Sequence, residues 1–167
     1  GSSYYFDQLG LDGKKILAGI DRQIRIANDN DHATNPVRML GDSFIETQLI
    51  IKQIESMTND SLYLTKNTTD PKQQVKELLD NAINQFATLN IKAQDVAIHG
   101  LTTTEIASLT KDIVTFELTT INGIEVLAPK IYLSQNTRDH LSQNNALATN
   151  STIFAQDNLT IDSPDAT

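Results

Sequence analysis

Apolar positions recur at helical spacing through Gly41–Thr58, GDSFIETQLIIKQIESMT. Projected at about 100° per residue, Phe44, Ile45, Leu49, Ile50, Ile51, Ile54 and Met57 cover most of the circumference. A helix apolar nearly all round has neighbours on several sides, so this stretch predicts the central helix of a small core. Ser43 and Glu46 have the spacing of a capping box at its start. Upstream, residues 14–27 place Ile16, Leu17, Ile20 and Ile24 on one helical face, which Gly19 weakens by about 1 kcal/mol. A polar loop over 28–36 ends at Pro36, which bars the residue before it from helix, and Val37–Leu40 leads into the central helix.

Downstream, Thr58–Asp60 reads as a turn and Leu62–Leu64 as a short apolar patch. Asp70-Pro71 is a helix start, a carboxylate cap followed by proline at the first helical position. Val75, Leu78, Leu79, Ala82, Ile83 and Phe86 then form a stripe opposite Lys72, Gln73, Lys76, Glu77, Asp80 and Asn84. That is a one-sided surface helix, with the central helix as its expected partner. Asn90–Gly100 reads as a loop, and Thr102-x-x-Glu105 opens a short helix carrying Ile106 and Leu109.

In Asp112–Leu133 the period changes to two, and Asn122-Gly123 between β-branched runs predicts a two-residue hairpin turn. The register follows: Ile121 opposite Ile124, Leu118 opposite Leu127, Phe116 opposite Pro129, Val114 opposite Ile131. Val114, Phe116, Leu118, Leu127 and Ile131 then share the core face, and Pro129 sits where its missing N–H breaks no rung. The tail, Asn144–Ser163, holds short apolar runs punctuated by Asn and Asp. Composition alone fits either stacked β-helical coils or an unstructured polar end.

The remaining bulk properties exclude more than they assign. The 167 residues suffice for one domain, or one with an extension, and Gly1-Ser2 reads as a tag remnant on an excised piece. No apolar run approaches the roughly 20 residues that span a bilayer. A net charge of −8 with scattered Lys and Arg speaks against a nucleic-acid partner, which needs a clustered basic footprint. Without cysteine there are no disulfides, thiolates or Cys-ligated zinc. His32, His99 and His140 stand apart with no second histidine at helical spacing, and Asn28–Asp31 lacks the glycine and glutamate of a calcium loop. Asp42 and Glu46 could mimic a carboxylate pair, but a helix N-terminus accounts for both. No phosphate loop, serine elbow or His-Glu-x-x-His pattern occurs. No catalytic residue, metal or cofactor is expected.

Gly41–Ile54 resembles a recurrent segment of filamentous-haemagglutinin adhesins and CdiA-type contact-dependent growth-inhibition exoproteins, of general form G-D-G-[FY]-[FY]-E-x-x-L-[IV]-x-x-Q-[IV]. Gly41, Asp42, Phe44, Glu46, Leu49 and Gln53 stand on that pattern. Ser3-Tyr4-Tyr5 with Leu9–Asp12 resembles its aromatic lead-in, and Leu79-Asp80-Asn81 the middle of its next helix. Leu109–Val114 with Val126–Leu133, containing Asp112, Pro129 and Tyr132, resembles its ending. Ser43 stands where the pattern has glycine, Ile45 replaces an aromatic, and residues 14–38 read as a lineage-specific insert.

The resemblance implies an α+β fold. Residues 3–133 would form three or four helices with a hairpin, and residues 134–167 a connector and the start of a right-handed parallel β-helix. It implies a non-enzymatic module of a secreted filament on a Gram-negative cell surface. The implied partners are a surface receptor of a recipient cell, flanking β-helical repeats and an outer-membrane two-partner secretion transporter. The pattern residues are implied to be structural. Two rival readings are a purely structural spacer or cap of the β-helix, and a β-helical polysaccharide-acting enzyme.

Overall fold

The computed structural model describes residues 4–11, 16, 38–39, 43–64 and 69–143. Among these are six helices and a three-stranded sheet: α1 (Tyr4–Gln8), β1 (Arg38–Met39), α2 (Ser43–Thr58), α3 (Pro71–Leu89), α4 (Ala93–His99), α5 (Thr103–Ser108), β2 (Ile113–Ile121), β3 (Ile124–Tyr132) and α6 (Gln135–Gln143). The α+β expectation holds for this part, while the expected β-helical coil falls outside the described residues, as do the 28–36 loop and all of the 14–27 helix but the buried Ile16.

The hairpin has the register derived from its turn, with Ile121–Ile124, Leu118–Leu127, Phe116–Pro129 and Val114–Ile131 all paired. Asn122 (φ 53°) and Gly123 (φ 79°) take the left-handed backbone that the turn requires. The order β1-β3-β2 makes β3 central, because Arg38 and Met39 pair in parallel with Val126 and Leu127. That short strand was not foreseen: two residues are too few to show a period.

Asp70 caps α3 through Lys72 N, and Thr102 and Glu105 form the expected capping box on α5. The box expected at Ser43 is absent in that form. Helix α2 begins at Ser43 itself, so its capping position precedes the described span, and Glu46 is 1% exposed. Helix α2 is also less enclosed than its pattern predicts. Ile50 and Ile54 are fully buried, but Phe44 is 68% exposed at its first turn. Asn90–Gly100, expected as a loop, contains α4, whose Val96 and Ala97 are buried; a helix of seven residues is too short for its period to register.

One core cluster joins Ile50 and Ile54 of α2, Val75, Leu78 and Leu79 of α3, and the Val114, Phe116, Leu127, Ile131 face of the hairpin. Leu141 of α6 is fully buried in the same cluster, with Tyr5, Leu11 and Ile16. A second cluster covers the opposite face of the sheet at its far end: Ala82, Phe86, Ile91, Val96, Leu101 and Leu109 pack on Ile113 and Tyr132. Helix α3 serves both clusters and packs more on β2 than on α2.

Three glutamines close the backbone of the core, of which the sequence singles out only Gln53, as a structural position of the family pattern. Gln53 of α2 donates from Nε2 to Pro129 O (2.7 Å) and accepts at Oε1 from Ile131 N (3.1 Å). Gln74 does the same for Ser61 O and Leu64 N, and Gln85 for the side chain and N–H of Thr110. Residues 129 and 131 turn their backbone groups away from β2, toward the edge that β1 is too short to cover. Replacing Gln53 by Ala leaves both groups unsatisfied and is expected to cost about 2–4 kcal/mol, read from urea unfolding with unchanged slope. A loss below about 0.5 kcal/mol would show that water replaces the amide there.

Candidate functional site

The hairpin register places Glu117, Lys130 and Tyr132 together on the face opposite the core face. Glu117 is the one carboxylate on β2, and the α4–α5 junction closes over it. Tyr132 donates its hydroxyl to Glu117 Oε2 and accepts from the backbone N–H of Leu101 (3.3 Å). Lys130 Nζ lies 4.0 Å from Glu117 Oε1 and 5.3 Å from the centre of the Tyr132 ring.

Gly100, at φ +77°, is required here twice over. The backbone is left-handed, and a Cβ would stand 3.0 Å from Glu117 Oε1 and 3.2 Å from the Tyr132 hydroxyl. Burial pushes the Glu117 carboxyl above its ordinary value, while Lys130, the Tyr132 hydrogen bond and the neighbouring His99 pull it down. The result is a carboxyl held protonatable against the sheet. Chemically it can exchange a proton, and structurally it locks α4–α5 to β3.

A second place is an open cleft of about 320 Å³ lined by Tyr63, Leu64, Asp112, Asn136, Thr137 and His140. Its carboxylate is occupied by the fold. Asp112 accepts from Ser134 N (2.8 Å) and Thr137 Oγ1 (2.8 Å), and its own carbonyl accepts from Asn81 Nδ2 (2.9 Å). Ser134 in turn caps α6 through Thr137 N (3.3 Å). Among the described residues no group of three or more His, Cys, Asp or Glu could hold a metal, and no helix is long and apolar enough to cross a membrane.

The residues singled out by resemblance therefore fall into separate places. Gln53 meets Pro129, Asn81 meets Asp112, and Tyr132 meets Glu117. Asp80 is on the surface, paired with Lys76 at 2.9 Å. Phe44 is exposed, Glu46 buried and Leu49 half-buried, while Gly41 and Asp42 lie outside the described residues. His99 and His140 stand on different helices. Glu117, Gly100 and Lys130 were missed, although the predicted register already put Glu117, Lys130 and Tyr132 on one face. What it could not show was α4, which turns that face from solvent-exposed into covered.

No family model and no solved structure matches the chain. Curated relatives do. The 16S rRNA endonuclease CdiA of Enterobacter cloacae is 33% identical over 175 aligned positions, covering 98% of this chain and 4% of that protein. The tRNA nuclease CdiA of Escherichia coli (strain STEC_O31) is 30% identical over 180 positions, covering 99% and 5%. The deoxyribonuclease CdiA of Dickeya dadantii is 28% identical over 155 positions, covering 93% and 4%. The chain thus spans about one twentieth of the length of these relatives.

Those names overturn two expectations from the sequence, that the protein is not an enzyme and that nucleic acid is no partner. Motifs and charge were counted over this stretch alone. A protein's catalytic groups and its basic footprint need not fall within so small a share of its length.

The Glu117 lock has a measurable pH signature. A carboxyl whose folded value lies above the ordinary 4.5 contributes stability fully present below that value and lost as pH rises through the folded one. Glu117→Gln removes the ionisation, so its stability relative to the parent is expected to be greatest near pH 7 and to shrink toward pH 4.5. Urea midpoints across that range check this, and a difference that grows on acidification would reject it.

Proposed function

The chain belongs to the CdiA-type contact-dependent growth-inhibition exoproteins, and from that membership we propose that it is a folded segment of a secreted effector with nuclease activity against a neighbouring cell. The observation that carries the proposal is the spread of names over one aligned stretch. Relatives called 16S rRNA endonuclease, tRNA nuclease and deoxyribonuclease each align with more than nine-tenths of this chain. A stretch common to proteins with different targets supplies what they share, and the target is chosen by what differs between them.

What they share, on this reading, is presentation. The segment stands on the surface of a Gram-negative cell after export through a two-partner transporter. Residues 3–133, together with α6 that packs Leu141 into their core, form its body, the residues beyond lead into flanking β-helical repeats, and an exposed face meets a receptor on the recipient. A second reading, a spacer or cap that fixes filament geometry, is favoured by the way the polar groups are used. Asp112 and Gln53, and Tyr132 with Glu117, spend their hydrogen bonds on the fold rather than directing them outward.

The test is an exchange of this chain for the matching stretch of the Enterobacter cloacae protein. Growth inhibition is expected to persist with 16S rRNA still the cleaved target; cleavage of a different nucleic acid would sink the proposal. Saturable, protease-sensitive binding of the labelled chain to Gram-negative recipient cells would select presentation, and no binding at micromolar concentration would select the spacer.

A further inference from the structure

Among the described residues three asparagines hold a left-handed backbone: Asn59 (φ 66°), Asn90 (φ 57°) and Asn122 (φ 53°). At the first two, the peptide N–H that follows is engaged. Asp60 N donates to Thr58 Oγ1 (3.1 Å), and Ile91 N donates to Phe86 O (2.8 Å). Each of those following residues also carries a Cβ. Asn122 differs on both counts. Gly123 follows it, and no atom stands within 4 Å of where a Cβ would be. Neither the Gly123 N–H nor the Asn122 carboxamide has a hydrogen-bond partner among the described residues. Asn122 is also the only asparagine of the chain that precedes glycine.

An asparagine side chain and the next peptide nitrogen can close a five-membered ring. We propose that Asn122 is a self-modification site, at which the Gly123 nitrogen attacks the Asn122 Cγ. The N–Cγ bond forms, the Cγ–Nδ2 bond breaks, and the Gly123 N–H proton passes through solvent to Nδ2, which leaves as ammonia. Water then opens the cyclic imide at one of its two carbonyls. Opening at Cγ gives aspartate in an unaltered chain. Opening at the main-chain carbonyl gives isoaspartate, whose backbone runs through the former side chain and is longer by a methylene. The net change is ammonia exchanged for water, with no oxidant and no second protein.

The ring closes only after the Asn122 Cα–C bond rotates out of the turn, and little resists that rotation. Residues 119–124 are all exposed and none belongs to either core cluster, so the tip opens without uncovering buried surface. Glycine leaves the attacking nitrogen unshielded. The aspartyl product fits the same turn, since Asp-Gly suits it as Asn-Gly does. The isoaspartyl product does not. A longer backbone in a two-residue turn disturbs the pairing of Ile121 with Ile124. Farther from the tip, Val114, Phe116, Leu127 and Ile131 are held by burial as well as by the turn. The modification therefore loosens the tip, leaves the core register in place and adds a negative charge to a chain of net charge −8.

The 167-residue chain, kept folded at mildly alkaline pH and then digested with trypsin for mass spectrometry, tests this. The peptide 112–130 holds Asn122 as its one asparagine. It is expected to gain the mass difference between an amide and an acid and to separate into aspartyl and isoaspartyl forms. At mildly acidic pH, where less of the Gly123 nitrogen is deprotonated, the gain slows. The peptides that carry Asn59 and Asn90 are expected to keep their mass over the same time. Asn122→Gly retains a favoured turn pair and abolishes the gain in 112–130. In the isoaspartyl fraction, amide exchange is expected to rise at Ile121 and Ile124 and to stay unchanged at Thr115. A constant mass of 112–130, or equal conversion at Asn59 and Asn90, overturns the site, and unchanged exchange at Ile121 and Ile124 overturns the loosening of the tip. If Asn122→Gly does not fold, the comparison of the three asparagines in the parent decides alone.

Discussion

A peptide group taken out of water must find another partner, and in this fold helix-borne glutamines provide it where strands run out. The central strand β3 is paired along its whole length by β2, but on its other side β1 covers only Val126 and Leu127. Gln53, from a helix packed over the sheet, reaches the remaining edge and presents a carboxamide in place of a peptide group. A carboxamide carries the same donor and acceptor as a peptide, so one side chain can stand in for one residue of a missing strand. Gln74 and Gln85 repeat the arrangement on the α2–α3 turn and the approach to β2. With these groups satisfied, the Val114, Phe116, Leu127 and Ile131 face can be buried under α2 and α3.

The two faces of the sheet differ in chemistry because they are covered by different kinds of element. The long helices bring apolar stripes and give a dry core. The short α4–α5 segment brings Gly100 and the Leu101 N–H, and beneath it the sheet keeps a carboxyl, a phenol and an ammonium group. Burial raises Glu117 toward its neutral form, and the neighbouring donors and Lys130 limit that rise. Such perturbed groups occur in catalytic clefts and in structural networks alike. Here the tight fit of Gly100 against both Glu117 and Tyr132 makes the group a lock between elements.

Family membership changes the scale on which the segment is understood. Its relatives are named for cutting RNA or DNA, yet the stretch in common is about one twentieth of their length. Acidic composition and the absence of catalytic motifs describe this stretch well and the whole protein not at all. That is why the expectation of a non-enzyme without nucleic-acid contacts failed.

Local chemistry determined several features without help from the rest of the chain. Asn122-Gly123 accepts the left-handed backbone of a tight turn, and a two-residue turn leaves one register for the strands beside it. Asp70-Pro71 and Thr102–Glu105 begin helices because their capping groups lie within one turn of the amides they satisfy. The ordered residues from Tyr4 to Leu133 were enough to identify the family. Tertiary structure decided the rest. Exposed and buried glutamine look alike in a sequence, because the backbone group that needs the amide lies 76 residues away for Gln53. β1 exists only because β3 offers it an edge, and α4 because Val96 and Ala97 find apolar surface beneath them. Glu117 is an ordinary strand residue until α4 covers it, since burial and not residue type sets the behaviour of a carboxyl.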